Sequence, residues 1–315
     1  AESDGEDEDM GLEDDRTGIE GMVFSLHPDQ SVRDSIIRMG NKVEDAKRSK
    51  SWKDGVEEMS KALCREGIQD PIMEVYSPPR VNSMANALGI ASGLSLDLTE
   101  NDPDDGMPWD FTVKEKRDKV MDMVLGKRAL LLIGSPLCTA FSRLQNWNFQ
   151  KMTKERRDEI VNAGREHLKF CMLLYRIQHE NGMYFLHEHP HSATSWGMPE
   201  VKEILGLEGV EMIRGDMCAF GMYQDTEEGR KLVMKPTGFM TNAKELGKEL
   251  NVKCDGKHKH VTLVNGRAKK AQVYPDELCF SIITGLLKQM KRDGRISEGG
   301  SEWLWQRKKH ERGMM

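Results

Sequence analysis

Residues 129–133, ALLLI, form an unbroken apolar run that stops at Gly134, Ser135 and Pro136. A run this short, apolar at every position and closed by turn formers, reads as a buried strand. Short apolar runs recur from residue 70 onwards, and the expected strands are 72–76, 94–98, 109–111, 129–133, 183–187, 210–214 and 232–241. Helical stretches lie between them, at 80–88, at 113–125 (opened by Thr112) and at about 153–180. In the last of these, Ile160, Leu168, Cys171, Leu174, Tyr175 and Ile177 share one face. The stretch 199–205 precedes the sixth strand. Strand alternating with helix predicts an α/β fold, a mostly parallel sheet with helices on both faces. In such a sheet ligands bind beyond the carboxyl ends of the strands.

The flanks read differently. Residues 1–20 hold ten acids and one Arg, so −9 of the net charge of −6 sits there and the rest of the chain carries +3. Residues 1–25 are therefore expected to be a disordered acidic tail. Residues 26–69 read as a helical arm or linker, with Val32, Ile36, Ile37 and Met39 near helical spacing and Ser51 as the cap of a second helix carrying Val56, Met59 and Leu63. The domain itself is expected over 70–290, and a basic tail over 291–315, with seven Lys/Arg against four Asp/Glu. There "WLWQRKKHERG" mixes Trp with basic residues. The six cysteines form no C-x-x-C pair, which points to a reducing, intracellular setting rather than a disulfide framework. The sequence shows no signal peptide and no apolar run near 18 residues, so no membrane association is expected. Nothing in it points to an obligate protein partner.

The strand ends carry the chemistry. The first expected strand runs into "EVYSPPRV", the second into Asp97 and the third into Asp110. The fourth ends in "GSPLCTAFS", the fifth in "FLHEHPHS" with Glu188, and the sixth in "GDMCAFGMYQ". A carboxylate after the second strand is where nucleotide-binding sheets take a ribose hydroxyl. A thiol on a loop, favoured as thiolate by the start of a following helix, is a candidate nucleophile. A glutamate on the neighbouring strand end can grip or protonate a ring nitrogen.

In this order the motifs resemble those of the S-adenosylmethionine-dependent cytosine-5 DNA methyltransferases. The family's Pro-Cys with nearby Phe-Ser is similar to "PLCTAFS" at 136–142, with one residue inserted between Pro136 and Cys138. Its Glu-Asn-Val or Glu-Asn-Pro motif resembles Glu188-His189-Pro190, and its closing Gly-Asn-x-Val-Pro-Pro with an apolar helix resembles "AQVYPDELCFSIITGLL" at 271–287. The resemblance covers roughly 70–290 and implies a class I methyltransferase (Rossmann-like) fold. It implies Cys138 as nucleophile and Glu188 as the residue that holds the base. Tyr76, Ser77, Asp97, Asp110 and Pro136 would line the cofactor, with DNA as partner and a nuclear location if DNA is the substrate. The sequence departs from the family at Pro78-Pro79, where the family loop is Gly-rich, at His189, and in lacking a clean Gln-Arg-Arg motif. Forms this divergent resemble those of phages and retroelement polyproteins, which would fit a chain without a start Met. A catalytically inactive, nucleic-acid-binding version of the fold is the alternative. A cysteine hydrolase pairing Cys138 with His187 or His189 is a third reading.

A second cluster stands apart. Cys254, His258 and His260 form a C-x3-H-x-H run and Cys218 lies upstream, a set that folding could turn into a tetrahedral zinc site. The stretch 235–270 would then form a small recognition insert, with 235–247 as the knob that meets DNA.

Overall fold

The computed structural model describes residues 30–142, 145–227, 229–261, 263 and 271–297. The acidic tail over 1–25 and the Trp-containing basic segment lie outside the described residues. Two helices lead, α1 (Gln30–Arg48) and α2 (Lys50–Glu66). Then come β1 (Asp70–Val75), α3 (Val81–Ala87), β2 (Leu94–Leu96), α4 (Lys114–Leu125), β3 (Ala129–Gly134), α5 (Gln145–Phe149), α6 (Lys154–Glu180) and β4 (Tyr184–Pro190). The chain continues through α7 (Pro199–Leu205), β5 (Glu211–Asp216), β6 (Tyr223–Thr226), β7 (Gly229–Val233), β8 (Pro236–Thr241), α8 (Lys244–Leu250), β9 (His260–Val261) and α9 (Asp276–Arg292).

Six strands make the main sheet in the order β2-β1-β3-β4-β8-β5. The first four are parallel, β8 is antiparallel to β4, and β5 is antiparallel to β8. The α/β expectation of a mostly parallel sheet therefore holds. Successive side chains of a strand point to opposite faces, and both faces are covered. Ile72, Leu131, Leu186 and Phe239 join a core with residues of α2, α3, α8 and α9. Met73, Leu132, Phe185 and Met240 join a second core with α4, α6 and α7. Burial on two faces is why β3 has no polar position, each large apolar side chain there contributing about 1.5–3 kcal/mol.

The leading helices belong to this core. Trp52 is buried, donates its indole N–H to Leu88 O at 3.0 Å and stacks on Phe280 of α9. They are thus a covering arm rather than a linker. The cap of α2 is Ser49, whose Oγ accepts from Trp52 N, and not Ser51, which lies inside the first turn.

Two expected strands differ from the outcome. Residues 109–111 are not a strand; an isolated bridge between Asn101 and Pro108 is all that forms there. Trp109 and Phe111 are instead buried anchors of a loop, and two aromatics spaced by two mimic strand alternation. The run 232–241 is broken at Met234 and Lys235, just before Pro236. Its first part, in β7, joins a small separate sheet β6-β7-β9. Its second part, β8, is an interior strand of the main sheet. The expected insert over 235–270, with its knob at 235–247, is corrected accordingly. Within it, 236–241 is core strand and α8 packs on α9. The segment that stands off the sheet is the β6–β7 hairpin with 251–261.

Candidate active site at the carboxyl edge

Parallel pairing sets Leu96, Val75, Gly134 and His187 in one row across the sheet. One residue further along each chain stand Asp97, Tyr76, Ser135 and Glu188. The strand-end residues therefore collect along a single edge, as the alternation of elements predicts.

Glu74, near the end of β1, is fully buried. Its Oε1 accepts from the backbone N–H of Arg80 and Val81 at 3.2 and 3.0 Å, and its Oε2 from Asn82 N at 3.0 Å and Ser95 Oγ at 3.1 Å. Ser77 Oγ adds a longer contact at 3.4 Å. Glu74 thus satisfies the orphan N–H groups at the start of α3, which has no side-chain cap of its own. Burial raises its pKa, and these hydrogen bonds oppose the rise.

Tyr76 and Ser77, expected to face the cofactor, are turned into the protein. Tyr76 has φ of 62°, rare for a residue with a side chain, and its hydroxyl meets His167 Nδ1 at 2.9 Å. Ser77 is buried over Glu74 and donates to Pro78 O at 2.9 Å. Asp97 and Asp110 share one device. Asp97 Oδ1 accepts from Thr99 N and Oγ1, and Asp110 Oδ1 from Thr112 N and Oγ1. Each D-x-T turn locks its carboxylate through one oxygen. A cavity of about 550 Å³ adjoins Asp110, lined by apolar Leu98, Met107, Pro108 and Val113 and by charged Asp102, Asp105, Glu115, Lys116 and Lys119. Pro136 is buried, with its carbonyl 3.3 Å from His189 Nε2.

Cys138 comes after β3 and is half-buried. The long helix whose start would favour its thiolate is absent from this position. The chain leaves Cys138 through a single 3₁₀ turn, Thr139–Phe141, and then the five-residue α5. Burial, then Glu188, push the thiol pKa up, and Lys235 pulls it down. Cys138, Glu188 and Lys235 thus form one electrostatic group, built from the loop after β3, from β4, and from the link between β7 and β8. Glu188 is buried, and Oε1 has no hydrogen-bond partner; Lys235 Nζ lies 3.4 Å from it in an ion pair without hydrogen-bond geometry. The same Nζ donates to Ala271 O at 3.0 Å. Tyr274 closes the edge, its hydroxyl 2.6 Å from Ser135 Oγ and within the field of both Glu188 and Glu74.

The histidines of β4 support the edge. His187 is buried with Nδ1 3.1 Å from Tyr175 Oη, and His189 Nδ1 is 2.6 Å from Ser195 Oγ. Burial pushes both pKa values down, that of His189 to about 4. Neither contacts the Cys138 thiol by a hydrogen bond among the described residues, which removes the geometric basis for a Cys–His hydrolase.

Cys218, Cys254, His258 and His260 do come together, their ligand atoms all within 4.8 Å of one another. Two residues of the edge are not singled out as site residues by the sequence. Lys235 is a lone lysine before a proline, and Tyr274 reads only as part of a helix approach.

No helix among the described residues is long and apolar enough to cross a membrane. No protein-family model matches the chain, and no curated protein matches it.

Proposed function

We propose that the domain is a class I methyltransferase-type fold that acts on cytosine in DNA through Cys138, with S-adenosylmethionine as methyl donor. The observation that carries the reading is the grouping of Cys138, in the loop after β3, with Glu188, near the end of the adjacent strand β4, and Lys235, with Glu188 buried and short of partners. A reversed strand wedged between two parallel ones, as β8 lies between β4 and β5, also suits a sheet of that type.

The chemistry asks each group for one task. The target base must leave the stack to reach a thiol set in this edge. The Cys138 sulfur adds to carbon 6 of the ring, and the electron pair moves toward carbon 5. Glu188 holds N3 and the exocyclic amino group, which stabilises the adduct. Lys235 lowers the cost of the thiolate. S-adenosylmethionine, when bound, supplies an electrophilic methyl group on a sulfonium. Solvent water then takes the carbon 5 proton, and the electron pair it leaves re-forms the carbon 5–carbon 6 double bond and expels the Cys138 sulfur as thiolate. The residues fit the adenosine end of that cofactor. Asp97 has an oxygen left for a ribose hydroxyl, and the cavity beside Asp110 has apolar walls in Leu98 and Met107 for a flat ring.

A second reading, a catalytically inactive nucleic-acid-binding module, is favoured by the turn after β1. Pro78 and Pro79 have no N–H, and the first N–H groups of α3 are spent on Glu74. Calorimetry on the full chain with S-adenosylmethionine separates the two. The first reading expects saturable one-to-one binding, weakened about tenfold or more in Asp97→Ala through loss of a charge-assisted hydrogen bond. Absence of binding would leave the second.

A further inference from the structure

We propose that Cys218, Cys254, His258 and His260 bind one structural zinc ion, which ties the 251–261 segment to the turn after β5. Two thiols and two imidazoles are the donor set of a closed tetrahedral zinc site. Cys254 Sγ lies 3.5 Å from His258 Nε2 and 3.4 Å from His260 Nε2. Zinc bonds of about 2.3 Å to sulfur and about 2.0–2.1 Å to nitrogen, at tetrahedral angles, set sulfur and nitrogen roughly 3.5 Å apart. The two Nε2 atoms are 2.9 Å apart, and all four ligand atoms fall within 4.8 Å. Both imidazoles thus turn the same nitrogen toward one point.

The surroundings are those of a ligand set. His258 turns its other nitrogen, Nδ1, to Asp255 Oδ1 at 3.5 Å. A carboxylate behind a histidine fixes its tautomer and leaves Nε2 as the donor to metal. Gly256 N–H points at Cys254 Sγ at 3.3 Å, and Gly256 has φ of 72°, so the tight turn suits a residue without a side chain. A backbone N–H aimed at sulfur stabilises a thiolate. Asp216 then fastens the loop from the other side, accepting from Cys254 N at 3.0 Å through its side chain and donating its own N–H to Val252 O at 2.9 Å.

The four ligands come from two segments that meet around Lys235. Cys218 sits in the 3₁₀ turn Met217–Phe220, and Met217 N donates to Lys235 O at 3.1 Å. His260 opens β9, which pairs with β7, and Met234 N donates to Val261 O at 3.2 Å. The ion therefore closes a ring of structure around the residue that faces Glu188. The metal site stands without the methyltransferase reading, since none of its ligands takes part in that chemistry.

The test uses the tag-free full chain and elemental analysis after gel filtration. About one zinc per chain is expected. Cys254→Ser with His260→Ala should lower the content at least tenfold, while Cys64→Ser, an exposed thiol outside the cluster, should leave it unchanged. Because the double variant can fail to fold, wild type stripped with a chelator is also titrated with Co²⁺. Tetrahedral visible absorption and a thiolate-to-cobalt charge-transfer band should saturate at one equivalent and vanish on adding Zn²⁺. A wild type without zinc whose Co²⁺ spectrum is only that of hydrated cobalt would overturn the proposal. So would a Cys218–Cys254 disulfide in its intact mass, or full zinc retained in the double variant.

Discussion

Glu74 and Glu188 are two buried carboxylates at the ends of strands in the same sheet, yet their surroundings are opposite. Glu74 takes hydrogen bonds from three backbone N–H groups and from Ser95. Glu188 has one ammonium at 3.4 Å and an Oε1 without a hydrogen bond. A satisfied carboxylate holds the fold. One left short of partners in a buried setting is costly, and such groups collect where a ligand completes them. The contrast teaches that position at a strand end does not by itself mark a functional residue; the unfilled hydrogen-bonding capacity does.

The largest expected difference between the two is in stability. In Glu74→Gln a single acceptor oxygen must serve two sets of donors, so one set is orphaned, at a cost of about 3 kcal/mol. Glu188→Gln orphans no hydrogen-bond donor but takes the charge partner from the Lys235 ammonium, which keeps Ala271 O, and should cost less than Glu74→Gln, about 1–2 kcal/mol. Urea midpoints with unchanged m-values read both; equal losses would break the comparison.

Acid should separate the two ends as well. His189 has its pKa lowered by burial to about 4 from 6.5. A depressed pKa contributes stability above pH 6.5 that is lost as pH falls toward 4, about 3 kcal/mol in all. Glu74, raised by burial, contributes in the other sense, present at low pH and lost as pH rises through its folded value. Hydrogen exchange at pH 5 should therefore show protection falling at 184–190 before 70–82. In His189→Gln the stability profile between pH 4 and 6.5 should flatten.

Much of this was legible in the chain. The unbroken apolar run of β3 needs burial on two faces, and only a sheet with helices above and below supplies it. The loop after it, with Pro136 and Cys138, is set by where that run stops. The reversal of β8 was not legible, because apolar alternation has no direction. Nor was the job of Glu74, since its donors lie six to eight residues on and meet it only once α3 folds back. Lys235 reaches Glu188 from 47 positions away by number, because it sits in the break at 234–235 that splits one expected strand into two sheets. The four Cys/His residues were legible as donors from their types, while their convergence depended on β9 pairing with β7.

Packing at the Cys138 strand can be tested next. A Cβ on Gly134 would lie 2.0 Å from Tyr175 Oη, itself tied to His187. Gly134→Ala should cost about 2 kcal/mol by overpacking, read as a lower thermal midpoint. The smallest effect is electrostatic. Lys235→Met removes the charge that pulls the Cys138 thiol down. Alkylation of Cys138 by iodoacetamide near neutral pH should slow, because less of the thiol is then ionised. An unchanged rate would remove Lys235 from the site.

The central claim is that Cys138 adds to cytosine while Glu188 holds the ring. Duplex DNA carrying 5-fluorocytosine tests it most directly, because fluorine cannot leave carbon 5 as a cation and the adduct is trapped. With S-adenosylmethionine present, the wild type and Cys64→Ser should form a protein–DNA complex that survives denaturation. Cys138→Ser should form none, and Glu188→Gln should form it at least about a hundredfold more slowly. A chain that binds S-adenosylmethionine yet gives no covalent complex across varied DNA sequences, or a complex that persists in Cys138→Ser, would contradict the account.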